Sequence, residues 1–142
     1  MKLNVELTGV DKLLKRFDKY GEEATKKAAS ITKATAFVIA ADAKRLAPKD
    51  TLELTKSIGV RKRTELSYAI FAAAKHAPYQ EFGTGGLVEV PEALRDLAIK
   101  FKGKGVKKID LKPQPYLWPA LVINKENYKF RLGKELKKLA KQ

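Results

Sequence analysis

The sequence has no cysteine and only one histidine, one methionine and one tryptophan among 142 residues. Without cysteine there is no disulfide scaffold, thiolate zinc site, iron–sulfur cluster or cysteine nucleophile. The single imidazole, His76, excludes any site that needs two. No apolar run approaches the roughly 18 residues of a membrane-spanning helix, and the N-terminus carries no signal-peptide pattern. These absences predict a soluble protein, acting in the compartment where it is made, with no membrane partner.

Positive charge is what the sequence has in excess. Thirty Lys and Arg stand against sixteen Asp and Glu, a formal charge of +14. A hydrophobic fraction of 44% is that of a globular chain, and the length suits one compact domain spanning residues 1–142. The charge is uneven. Residues 1–50 carry +4, residues 51–97 are neutral, and residues 98–142 carry +10. The last third holds a Gly-punctuated lysine stretch (Lys100, Lys102, Lys104, Lys107, Lys108, then Lys112) and a Lys-rich tail from Lys125 to Lys141. Two readings follow: a solubilising face, or a surface that steers an acidic partner, either protein or nucleic acid. Arginine, the residue of bidentate base readout, is sparse and dispersed, so sequence-specific nucleic-acid recognition is not expected. Non-specific phosphate contact by the lysine stretch stays open.

Residues 2–7 alternate polar and apolar and predict a strand with Leu3, Val5 and Leu7 on one side. From Asp11 to Leu46 the apolar positions step by three, four and seven, predicting a long helix. Its stripe runs through Ala24, Ala28, Ile31, Ala34, Val38 and Ala41, with a kink or break at Gly21 and a stop at Ala47-Pro48. The Ala-rich face at 28–43 predicts a close neighbour. Residues 56–74 read as a hairpin turning at 62–65, its second strand starting at Leu66 and covered on both faces. Pro78 opens a one-turn helix that Gly83 closes. Residues 84–90 are expected to be extended, and Glu92–Phe101 a short helix. A loop over 102–117 leads to a terminal helix with Trp118, Leu121, Val122, Tyr128, Leu132, Leu136 and Leu139 inward. The expected fold class is α+β: a long N-terminal and a C-terminal helix packed on a small antiparallel sheet, with a Lys/Gly-rich excursion at about 85–112.

No constellation for catalysis stands out. His76 and Glu81 suggest at most an acid–base pair with Tyr79 between them, lacking a Ser or Cys nucleophile motif. Phe82-Gly-Thr-Gly-Gly-Leu lacks the Lys-Ser/Thr of a phosphate loop. The acids are scattered singly, and nothing calls for a cofactor or metal.

Three stretches carry a more specific signal: Ala47-Pro-Lys-Asp-Thr-Leu-Glu-Leu-Thr-Lys-Ser-Ile58, Tyr79-Gln-Glu-Phe-Gly-Thr84 and Pro113-Gln-Pro-Tyr-Leu-Trp-Pro-Ala-Leu121. In this order, after a long Ala/Lys-rich helix, the chain resembles the tail-completion, or head–tail joining, proteins of long-tailed siphovirus-type phages. Leu52 departs from that pattern, which has glycine after Asp-Thr. The 28 residues from 85 to 112 form a longer connection than many members carry. The resemblance implies that Pro48, Asp50, Thr51 and Ser57 shape the helix-to-hairpin junction. It likewise implies that Tyr79, Glu81, Phe82 and Gly83 shape the following turn, and Pro115, Leu117 and Pro119 the start of the last helix. Each is a fold anchor or a subunit contact. The resemblance further implies a non-enzymatic virion protein, phage- or prophage-encoded, at the neck. It would be assembled in the host cytoplasm as a homo-oligomeric, sixfold ring, with the tail terminator and head-completion proteins as partners. Lys100, Lys102, Lys104, Lys107, Lys108 and Lys112 would then meet acidic protein or genomic DNA. A stand-alone basic protein that binds nucleic acid non-specifically is the alternative.

Overall fold

Alternation at the N-terminus gives strand β1 (Leu3–Leu7), with Leu3 buried and Asn4 and Glu6 exposed. The computed structural model describes residues 3–7, 21–49, 52–83, 92–94, 96 and 113–141. Helix α1 (Gly21–Leu46) is followed by a five-residue helix α2 (Glu53–Ser57), strands β2 (Ile58–Thr64) and β3 (Ser67–Ala72), and helix α3 (Ala77–Phe82). A 3-10 turn, Glu92–Leu94, precedes the terminal helix α4 (Leu117–Ala140). The expected helical residues 11–20, the extended segment 84–90, the remainder of the helix Glu92–Phe101 apart from Asp96, and the stretch Lys100–Lys112 lie outside the described residues.

The sheet is antiparallel in the order β1–β3–β2, so the second hairpin strand is central. Its register aligns Leu3, Ala72 and Ile58 in one inward row and Val5, Ile70 and Val60 in the next. The hairpin turns at Glu65-Leu66, later than the expected 62–65, and β3 begins at Ser67. The Lys62 ammonium reaches Glu65 Oε1 at 2.6 Å, and Leu66 N–H donates to Thr64 Oγ1 at 3.2 Å, which closes the late turn. On the outer face the Phe71 ring lies over Gly59, where an added Cβ would come within 2.7 Å of it. The Arg61 guanidinium sits 5.1 Å from the same ring, and Arg63 reaches from β2 to Glu6 on β1 at 3.4 Å. Ala69 and Ile70, on opposite faces of β3, are both buried, as expected for a strand covered on both sides.

Helix α1 crosses the inner sheet face and α4 packs along α1. Pairings of Thr32 with Tyr128, Asp42 with Asn124 and Lys27 with Glu135 show that the two helices run antiparallel. The α+β class is as the element order predicts. Two stripes are corrected. In α1, Ala34, Val38 and Ala41 face outward; the buried face runs through Ile31, Thr32, Thr35, Ala36, Ile39, Ala40 and Ala43. From Ala34 to Ala41 only Thr35 is polar, so spacing cannot choose between two faces. In α4, Val122 is exposed and Asn124 takes the inward position, its amide donating to Asp42 Oδ2 and to Ala120 O, each at 2.8 Å. A polar residue serves as core where a carboxylate on the facing helix receives it.

Helix α2 was not foreseen. It is entered through Leu52, whose φ of 59° is left-handed. A side chain there costs about 1–2 kcal/mol that glycine avoids. This is the position at which the resembling motif has glycine, the residue that adopts a left-handed φ without strain.

Candidate assembly surfaces

The second and third motifs meet at a single carboxylate. Glu81, on α3, is 4% exposed. Its Oε2 accepts the backbone N–H groups of Tyr116 and Leu117, both at 2.9 Å, and Oε1 accepts that of Trp118 at 2.8 Å. Helix α4 has no side-chain cap of its own at Tyr116. A helix start leaves four N–H groups without intrahelical partners; here the fourth position is Pro119, which has none. Glu81 thus satisfies every remaining donor and places a negative charge at the positive pole of the helix. Gln114 N–H donates to Gln80 O at 2.8 Å, and Tyr116 Oη donates to Ala77 O at 3.1 Å, so the clasp has three rungs. Both Glu81 oxygens being engaged, the imagined pair with His76 does not form.

Two other motif residues, Gly83 and Ser57, also make local anchoring bonds. Gly83 N–H donates to Tyr79 O at 2.8 Å with φ 70°, closing α3 behind Pro78. Ser57 Oγ donates to Leu54 O at 2.7 Å, and Ser57 O accepts Ala73 N–H at 3.2 Å, tying the start of β2 to the end of β3. Phe82 and Leu117 are buried; Pro48, Tyr79 and Pro119 are half-buried and Pro115 is exposed. Asp50, Thr51 and the six lysines from Lys100 to Lys112 lie outside the described residues.

Between the long helices, Thr32 Oγ1 donates to Ala28 O at 2.8 Å, so the 2.9 Å contact with Tyr128 is a bond donated by the tyrosine. Burial pushes the Tyr128 phenol up. Burial, and then the Glu81 charge, push Tyr116 up further. Phenols whose pKa is raised on folding contribute stability that is complete below the unfolded value near 10 and is lost above it. Unfolding midpoints in urea are therefore expected to fall as pH rises above about 10. The double variant Tyr116→Phe/Tyr128→Phe should show a distinctly shallower fall. Equal slopes for both proteins would remove the tyrosines as the cause.

Among the described residues, exposed apolar side chains stand on the outer sides of both long helices. On α1, Phe37 is 54% and Val38 47% exposed, beside the exposed Ala34 and Ala41. On α4, Phe130 is 68% exposed and borders an open cavity of about 500 Å³. Among the described residues that cavity is otherwise lined mainly by Lys129, Lys134, Lys137, Lys138 and Lys141. Sequence spacing missed the α1 surface by assigning three of its four residues to the core; the visible signal was a helix segment apolar on all sides.

A family model for HK97-gp10-like proteins, described as a bacteriophage HK97 gp10 tail component, matches residues 11–83, just over half of the chain. The chain belongs to this family. No curated protein and no solved structure gives a significant match. The HK97-gp10-like match covers the first motif and all but Thr84 of the second, and the Glu81 clasp joins the third to them. Membership makes the protein a phage tail component: it implies a place in the virion, contact with other tail proteins and a structural role. Among the described residues no helix is long and apolar enough to cross a membrane.

Proposed function

We propose that this HK97-gp10-like protein completes the head-proximal end of the tail, where the tail is joined to the filled head. The observation that carries the reading is the Glu81 clasp. It binds the second and third motifs into one frame, in the order that tail-completion proteins show. Copies form a ring, sixfold to match the tail, through heterologous contacts that close by rotation. Tail terminator and head-completion proteins lie on its two sides. The half-buried or exposed Pro48, Tyr79, Pro115 and Pro119 border these contacts, whereas Ser57, Glu81, Phe82, Gly83 and Leu117 hold the frame behind them. The lysines of α4, with Lys100 to Lys112, face acidic protein surfaces at the junction.

Electron microscopy of particles assembled without the protein tests the reading. Filled heads beside separate full-length tails are the expected result. Absent tails, or heads without DNA, would place the protein elsewhere in morphogenesis.

A further inference from the structure

We propose that the outward ridge of α1, formed by Ala34, Phe37, Val38 and Ala41, docks a tail protein that presents an apolar groove edged by carboxylates. The inference rests on the tail-completion reading and adds the chemistry of the partner. Residues 34, 37, 38 and 41 follow the i, i+3, i+4, i+7 rule, so they form one continuous strip about 10 Å long. The one polar residue in this octet, Thr35, points into the core. A helix segment that is apolar all round is normally covered on every side, yet here half of it faces solvent. Isolated apolar residues on a surface are ordinary; a contiguous strip holding a half-exposed Phe and Val is the pattern of an interface core.

Charge decides the occupant. Cations stand at both ends of the strip: Lys26, Lys27 and Lys33 before it, Lys44 and Arg45 after it, all exposed. The acid on this helix nearest the strip, Asp42, accepts a bond from Asn124 at 2.8 Å and lies 3.7 Å from Arg45. Lys27 pairs with Glu135 at 3.5 Å. A second copy packed ridge to ridge would bring the same cations against this rim and be repelled. Duplex DNA has no groove that rewards an exposed Phe–Val ridge flanked by alanines. A protein surface with an apolar groove and acidic edges satisfies both parts of the strip, with the charges steering approach.

The test uses full-length tails purified from cells that express the tail module without this protein, and measures co-sedimentation of the full chain. The double variant Phe37→Gln/Val38→Gln keeps good helix formers at exposed positions and is expected to retain the wild-type urea midpoint while binding at least about tenfold more weakly. Lys33→Glu/Lys44→Glu should weaken binding in the same direction, and raising salt from about 0.1 to about 0.5 M should erase most of the difference between this variant and wild type. Wild-type and ridge-variant protein binding alike would overturn the ridge while leaving tail completion standing. Wild-type protein that fails to bind tails would overturn both. If the ridge variant instead converts a dimer of the free chain into monomer, the occupant is a second copy and the proposal fails.

Discussion

Glu81→Ala is expected to destabilise the protein by about 3–5 kcal/mol, read as a shift of the urea midpoint at unchanged slope. The substitution removes one carboxylate but orphans three backbone donors. Those of Tyr116 and Leu117 sit in residues that are essentially inaccessible to water. Each buried donor left without a partner costs about 1–3 kcal/mol, and the losses do not add fully because the helix start can relax. The favourable placement of a charge at the helix N-terminus goes too. Glu81→Gln should fall between: its amide oxygen still accepts, but its NH2 faces an N–H group that wanted an acceptor. Because α4 packs along α1, loss of helical circular dichroism should follow the same midpoint rather than an earlier one. A Glu81→Ala protein within about 1 kcal/mol of wild type would mean that water replaces the carboxylate, and the clasp would not be what joins the motifs.

Ile39→Ala and Val38→Ala, adjacent in sequence, are expected to differ by several kcal/mol. Ile39 is fully buried between α1 and its neighbours, whereas Val38 is 47% exposed. Truncating a buried isoleucine costs about 2–5 kcal/mol, through lost transfer energy and the cavity left behind. Truncating Val38 should stay within about 0.5 kcal/mol, since alanine's helix propensity offsets the small loss of contact. The reverse order would return the buried face to the Ala34–Val38–Ala41 stripe and remove the exposed ridge with it.

How much could be read from the sequence depended on how local the cause was. The break at Ala47-Pro48, the closure of α3 by Gly83 and the alternation of β3 are each dictated within a few residues, and they stand as expected. The inward face of α1 was not legible, because a segment with seven apolar residues in eight has no contrast to orient it. Asn124 was not legible as core, because its reason is Asp42 on another helix. Glu81 is the sharpest case. Its partners lie 35 to 37 residues away, so spacing showed only an acid near a histidine. The motif resemblance pointed to the residue, and only the fold revealed what it does. The assembly surfaces follow the same rule: the basic tail was plain from composition, whereas the α1 ridge emerged only once the core had taken the other half of the helix.

The clasp also fixes where residues 84–112 leave and rejoin the frame. Gly83 and Pro113 are held together by the Gln80–Gln114 bond and by Glu81, so the end-to-end distance of the connecting chain is set by the frame rather than by its contents. Closing a flexible connection between fixed points becomes harder only logarithmically, by about 0.6 kcal/mol for each doubling of length. The length of this segment can therefore be changed at small cost to the two helices and the sheet, provided that Leu94, which packs against the core, is kept.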